Sequence, residues 1–507
     1  MEEVYVIPQN LKEKKQPVVF TAKDWLCLLL ALGLAILYRN VFSLDRLTGF
    51  GPPGLGVTVY VFALFAVVCF ALGKRLRLNV QSAALSLCAL LLSLCCFLHG
   101  NPFMTILNCF VILAVGAMAV FSLSGVSARS WRDARILPET AVNAARALFT
   151  RVAMPFRALS GLTKNRRTLL GALVGVLICV PVLAIVLVLL ISADTVFASL
   201  LRGFTDWLAA QNVLSLLWRG VETLVIAFLL ASALYFLRAG GKKDGAAIAK
   251  RAGAAILPSA PFVAALILLD LVYALFVGVQ FVVLFGGTEV AALRGGYAEY
   301  ARGGFFQLVW VAVINLAAVL LSAALCFRPK AQGDPPSGNP ARPGRLALRV
   351  CAGILLALTA VILVSALRRM SLYISVYGLS FLRILTLWAM AVIAVCLVAA
   401  AVKLVRPSFR FFQVFLAFTL CSWIVFNCLN VDALAADYNV DAYLSGSVQQ
   451  VDAAYLASLS PDTYPALLRL YAQTDGRMGY STEQLKDMSV TDRPWTALRL
   501  SDRNVPG

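Results

Sequence analysis

Long apolar runs return along most of the chain, separated by short segments that hold nearly all of its charge. They fall at 25–38, 55–72, 80–98, 103–121, 169–191, 221–237, 262–285, 308–327, 348–367, 384–402 and 411–429. A helix needs about 20 apolar residues to cross a ~30 Å hydrocarbon core, and all but the first run approach that length. The short alternating strands of a spanning barrel are not seen. The pattern predicts an all-α fold, a polytopic transmembrane helical bundle of about 11 spans, followed by a small helical tail. Five segments follow in chain order: a cytoplasmic N-terminal segment (1–24), four transmembrane helices (25–121), a basic cytoplasmic loop with an amphipathic helix (122–168), a seven-helix core (169–429) and an extracytoplasmic tail (430–507).

Charge predicts the orientation. With the N-terminus inside, the cytoplasmic segments carry 29 Lys and Arg and the five outer loops carry 9, the distribution the positive-inside rule requires. An odd number of spans then puts the tail outside, and residues 430–507 hold ten acidic and six basic side chains. The expected setting is a bacterial cytoplasmic membrane. The formal net charge of +19 is thereby accounted for without nucleic acid, and a charged fraction of only 14% sets the chain apart from soluble domains. The polar N-terminus lacks the cleavable-signal pattern, so the first run is expected to stay as a signal anchor.

Within the basic loop, Val142, Ala145, Phe149, Val152, Phe156 and Leu159 step by three and four, with Arg146, Arg151 and Arg157 beside them. This is a basic amphipathic helix. Two placements fit it: in the anionic interface of the membrane, or packed under the bundle.

Polar groups inside an apolar chain mark candidate sites. One cluster follows the seventh run: Gln280, then Tyr297, Glu299, Tyr300 and Arg302, with spacings that allow Glu299–Arg302 pairing. A second is Arg369, Tyr373 and Tyr377, one helical stripe at i, i+4 and i+8, followed by Gly378 as a helix stop and Ser380 as the next cap. Arg383 then lies in the first turn of a helix, where a cation opposes the dipole. Arginines at an outer turn call for an anionic partner, either internal (Glu299 or Asp194) or a bound ligand. Asp270 is an acid in the middle of a span, expected to face the bundle either as a proton or cation site or as a structural hydrogen-bond partner of Asn315 or Tyr273. In the tail, Ser460-Pro461-Asp462 reads as a helix start with Ser460 as cap. So short a segment would be marginal alone and is expected to dock on the membrane domain.

No pattern calls for a cofactor, catalytic residue or metal. The twelve cysteines lie in or beside apolar runs with no CxxC pair, and His99, in the turn His99-Gly100-Asn101-Pro102, is the only histidine. Neither HExxH, GxSxG nor a P-loop occurs.

Several of these segments resemble a bacterial family of polytopic membrane proteins catalogued as a domain of unknown function, the 4153/4173 group. The stretches are Ser192–Phe197 (Ser192-Ala193-Asp194-Thr195-Val196-Phe197), residues 297–306, residues 369–383, Asn430-Val431-Asp432 with Asn439, and residues 452–468, together covering about residue 170 to the end. The family pattern often has Pro where Val431 stands and a basic residue where Gly303 stands. The resemblance implies a fold without an activity, and all its segments fall on the outer side. The expected function is therefore a non-enzymatic envelope sensor, scaffold or regulator with an outer polar platform. The alternatives are a transporter or channel using Asp270, and an enzyme acting on a lipid-linked anionic substrate. The expected partners are the lipid bilayer, anionic lipid head groups and another envelope protein.

Overall fold

The computed structural model describes residues 21–43, 52–154, 213–239, 258–285, 305–326, 343–448, 450–488 and 495–505, with scattered helical positions between 175 and 190. Among these residues there is no strand, and ten helices are long and apolar enough to cross a membrane. They are α1 (Ala22–Phe42), α2 (Leu55–Leu72), α3 (Val80–Leu98), α4 (Pro102–Ser124), α6 (Val213–Ala239), α7 (Ser259–Phe285), α8 (Phe305–Cys326), α9 (Pro343–Tyr377), α10 (Phe381–Val405) and α11 (Phe411–Cys428). The shorter α5 (Ile136–Phe149) follows α4, and the tail forms α12 (Val431–Leu444), α13 (Ala453–Leu459), α14 (Tyr464–Gln473) and α15 (Thr482–Met488). The protein is an all-α, multi-pass membrane protein. The fifth predicted span, 169–191, lies largely outside the described residues.

The helix ends follow local chemistry. Asn79 and Ser82 form a reciprocal capping box at the start of α3, with Ser82 N–H donating to Asn79 Oδ1 at 2.7 Å and Asn79 N–H to Ser82 Oγ at 3.0 Å. Asn101 caps α4 with Pro102 in its first turn, and Gly125 ends that helix in the left-handed region at φ +69°. Gly378 at φ +73° ends α9, and Ser380 caps α10. Helix α9 has 35 residues, about 52 Å at 1.5 Å per residue, so it outreaches the hydrocarbon core at one or both ends.

The chain forms two compact units that interleave along the sequence: residues 1–36 with 147–236, and residues 37–146 with 237–507. In the first, Ser232 Oγ donates to the Ala147 carbonyl (2.9 Å) and accepts from Arg151 N–H (3.2 Å), and Tyr235 Oη donates to the Asp24 carbonyl (3.3 Å). In the second, α9 is surrounded by α7, α8 and α10. Its core joins Leu348, Leu355, Ile362 and Met370 to Leu266 and Met390. Fully buried Ala312, Ala352 and Ala366 let these backbones approach closely. Helices α2, α3 and α4 pack together, and α11 leans on both α3 and α10. The outward faces are apolar and bare, as in Leu275 (73% exposed), Leu113 (71%) and Trp310 (66%), which is the surface hydrocarbon tails solvate.

The tail has its own core of Val440, Leu456, Tyr464, Leu467, Leu470 and Leu485. Ser460 does not act as the expected side-chain cap. A 3₁₀ turn, Pro461–Thr463, intervenes before α14, and no side-chain cap bond forms. The helix of the basic loop is α5. It begins at Ile136, and Val142, Ala145 and Phe149 are exposed while Ile136, Thr140, Asn143 and Ala147 are buried. Phe156, Arg157 and Leu159 lie outside the described residues.

Candidate functional site

One end of the second unit gathers three interhelical turns under the tail. The starts of α2, α4 and α10 and the ends of α3, α9 and α11 all meet there. The first turn carries His99, Gly100 and Asn101. While Asn101 Oδ1 caps α4 by accepting from Met104 N–H (3.0 Å), its Nδ2 donates to both carboxylate oxygens of Asp432, at 2.9 and 3.1 Å. Asp432 stands in the first turn of α12. Asn430 caps that helix through Ala433 N–H (3.2 Å) and turns its own Nδ2 to Asp462 (3.1 Å).

Asp462 is the hub. It is 5% exposed and accepts from Gly100 N–H (3.2 Å), Asn430 Nδ2 (3.1 Å), Asn504 Nδ2 (3.2 Å) and Ser460 Oγ (3.4 Å). His99 Nδ1 stands 3.8 Å away, an ion-pair distance when the ring is protonated. Burial pushes the Asp462 carboxyl up. The His99 ring, the Gly100 N–H and the Asn430 amide outweigh it and hold the carboxyl below the ordinary aspartate range. Asp432 moves the other way. Burial raises it, and the Asp462 charge adds to that, against the donors Ser460 and Asn101 and the nearby His99.

Arg499, 7% exposed, ties two turns together. Its guanidinium donates to the Gly100 carbonyl (2.8 Å) and to the Pro52 carbonyl (2.5 Å). Beside it the backbones meet directly: Gly54 N–H reaches the Thr496 carbonyl (3.0 Å) and Leu55 N–H the Leu498 carbonyl (2.9 Å). A Cβ on Gly54 would stand 2.3 Å from the Leu498 carbonyl oxygen, so only glycine permits this approach. The third turn is held by Asn439. Its amide pairs like a backbone group, accepting from Leu379 N–H and donating to the Leu379 carbonyl, both at 2.7 Å. Phe381 N–H adds a bond to Tyr455 Oη (3.1 Å).

Under this clamp, Asn108 Nδ2 donates to Asn427 Oδ1 (2.5 Å), Trp423 Nε1 donates to Asn108 Oδ1 (2.9 Å), and Asn427 Nδ2 donates to the Trp423 carbonyl (2.8 Å). Between the two layers lies a cavity of about 20 Å³ lined by Cys95, His99, Asn101, Asn108, Asn427 and Asp432 among others. One water needs roughly 10–15 Å³ in this measure, so the space suits a single water. Among the described residues no group of three or more His, Cys, Asp or Glu could hold a metal.

The sequence-derived candidates distribute unevenly. Arg369, Tyr373 and Tyr377 lie on α9, and Arg369 is 7% exposed. The Tyr373 and Tyr377 rings stand 5.0 Å apart, with the Arg383 guanidinium 4.2 Å and 6.0 Å from their centroids. Arg383 also donates to the carbonyls of Tyr377 (2.8 Å) and Gly378. Its charge therefore rests on the negative end of the preceding helix and on two ring faces, and no carboxylate is needed to explain it. Asp270 is 9% exposed on α7, and its Oδ1 has no hydrogen-bond partner among the described residues. Asn315 Nδ2 bonds Thr359 Oγ1 instead (3.0 Å). Asp194, Tyr297, Glu299, Tyr300 and Arg302 lie outside the described residues, and Gln280 lies on α7 with its side chain undescribed.

Sequence reasoning did not single out Asn101, Asp432, Asn439, Asp462 or Arg499 as site residues. The available signal was the Asx-rich spacing of the tail beside an Asn-Pro turn, which reads locally as capping and hides the long-range half of each interaction.

No curated protein and no solved structure matches the chain. A family described as a domain of unknown function, DUF4153, matches residues 86–470. The match takes in most of α3 and all of α4, N-terminal to the stretches that carry the sequence resemblance, and it ends inside α14, short of the C-terminus. It spans both sides of the clamp: the His99–Asn101 turn and the tail carboxylates it binds. With well over half of its length matched, the chain belongs to the DUF4153 family.

Proposed function

We propose that the protein is a non-enzymatic sensor, scaffold or regulator of the cell envelope, carrying a small helical module mounted on the outer face of its membrane bundle. The orientation is the one the 29-to-9 charge distribution favours, in a bacterial cytoplasmic membrane with the N-terminus inside. The observation that carries the reading is the buried Asp462 hub. A carboxylate that accepts from the α3–α4 turn and from several parts of the tail makes a fixed mount, and the space beneath it suits a water and not a substrate. Such a mount couples whatever the module touches, another envelope protein or a lipid head group, to the ends of α3, α4, α10 and α11.

Transport is the second reading, and Asp270 favours it as a buried acid in a spanning helix. Against it, α7 runs unbroken over 27 residues, whereas transporter sites are commonly built on interrupted helices. The test is reconstitution of the full chain in liposomes with proton, Na⁺ and K⁺ flux as readout, beside complementation of a deletion strain by an Asp462→Ala variant. Flux at the level of empty vesicles and failed complementation are expected. Flux that vanishes in Asp270→Asn would overturn the reading in favour of transport.

A further inference from the structure

The end of the bundle away from the tail carries an amphipathic helix whose two faces are used unequally. At 100° per residue, Ile136, Thr140, Asn143 and Ala147 of α5 fall within one narrow arc, and all four are buried. Val142, Ala145 and Phe149 fall on the opposite arc. They are exposed, Val142 to 46% and Phe149 to 68%. An apolar stripe bare to solvent along the second half of the helix is costly, so it requires a cover.

The anchoring of α5 indicates what covers it. Arg77 N–H donates to the Leu123 carbonyl (2.8 Å), and Trp131 N–H donates to Gln81 Oε1 (3.1 Å). The second bond ties the segment leading into α5 to the first turn of α3, and the first ties the residues before α3 to the last turn of α4, the level at which two spanning helices leave the membrane. Around this point, residues 73–82 and 125–149 hold seven basic side chains (Lys74, Arg75, Arg77, Arg129, Arg132, Arg135, Arg146) and two acids. Both acids are engaged. Asp133 pairs with Arg129 (2.7 Å) and Arg135 (3.4 Å), and Glu139 pairs with Arg129 (3.4 Å) and accepts from Ala128 N–H (2.7 Å).

We propose that α5 lies in the anionic lipid interface, with Val142, Ala145 and Phe149 among the acyl chains and Arg132 and Arg135 at the phosphates. An interfacial helix needs this combination: an apolar face at the depth of the headgroup boundary and an unbalanced positive rim. The inference does not depend on the role given to the tail, and either can fail alone.

The experiment places the photo-crosslinking residue p-benzoylphenylalanine at Val142, Phe149 or Asn143 of the full chain. The protein is held in nanodiscs of equal parts phosphatidylglycerol and phosphatidylcholine, and adducts are read by mass spectrometry. Lipid adducts are expected at Val142 and Phe149 and intramolecular ones at Asn143. Phosphatidylglycerol should be favoured by about twofold or more, a preference lost in the Arg132→Gln, Arg135→Gln variant. Adducts at Val142 and Phe149 to protein, whether this chain or a second copy, overturn the proposal. So does the absence of lipid adducts there, and equal capture of the two lipids overturns its anionic part.

Discussion

Asp462 and Asp432 sit a few side chains apart in the same buried node, yet their environments push them in opposite directions. For Asp432 the folded pKa lies above the unfolded value of about 3.9, so proton uptake stabilises the clamp as pH falls from neutral through that raised pKa. For Asp462 the folded pKa lies below the unfolded one, so its contribution is complete above about pH 4 and is lost as pH falls through the lower value. The clamp should therefore be tightest in mildly acidic solution. Hydrogen exchange of residues 453–473 across a pH series checks this, and Asp432→Asn should flatten the acid-side gain. A protection profile that only falls on acidification contradicts the assignment. Replacing Asp462 by Ala leaves the Gly100 N–H and the Asn430 and Asn504 amides without their acceptor. That should cost about 3 kcal/mol, since each buried unpaired group costs roughly 1–3. Limited proteolysis of the tail is the readout, and cleavage unchanged from wild type would remove Asp462 as the hub.

At the scale of elements, hydropathy located the spans well because lipid demands a fixed apolar length. The predicted ends of the second and third spans coincide with α2 and α3. The apolar run 348–367 stops ten residues before α9 does, and the stripe of Arg369, Tyr373 and Tyr377 carries the helix on to its end. Arg368, Arg369 and Ser371 are unwelcome in lipid but good enough in a helix, so the window measures the membrane and not the helix. The stop at Gly378 was legible because a left-handed residue was needed there. Its tertiary role was not: a Cβ on Gly378 would fall 2.2 Å from Asn439 Oδ1. Gly378→Ala should therefore cost more than the ~1 kcal/mol of an ordinary left-handed alanine and should release the Asn439 bridge. Thermal unfolding of Gly378→Ala beside Asn439→Ala and the double variant measures the coupling. Additive effects would show the two residues to be independent.

At the scale of the molecule, the two ends of the second unit differ in kind: a basic one near the start of α5 and a hydrogen-bonded one built on Asp432 and Asp462 under the tail. The proposed orientation makes a direct prediction, because residues 430–507 contain no cysteine. A Ser447→Cys variant, at an exposed turn after α12, should react with a membrane-impermeant maleimide in intact cells beyond the wild-type background. Labelling seen only after lysis would invert the orientation and with it the reading of the tail as an outer module.

Fold class, charge asymmetry and the ten described spans were determined by the chain read in one dimension, because each follows from local composition over a helix length; the family followed from particular residue runs such as 452–468. The same holds for the stripe of Arg369, Tyr373 and Tyr377, which is a matter of helical period. Only the tertiary structure decided what the polar groups do. It gave Arg383 the carbonyls of the preceding helix, turned Asn101 and Asn430 from caps into bridges, and brought Gly100 to Asp462 across 362 positions. A buried hydrogen bond between residues so far apart leaves no periodic trace, since each partner satisfies a local rule as well, and sequence spacing records only that local half.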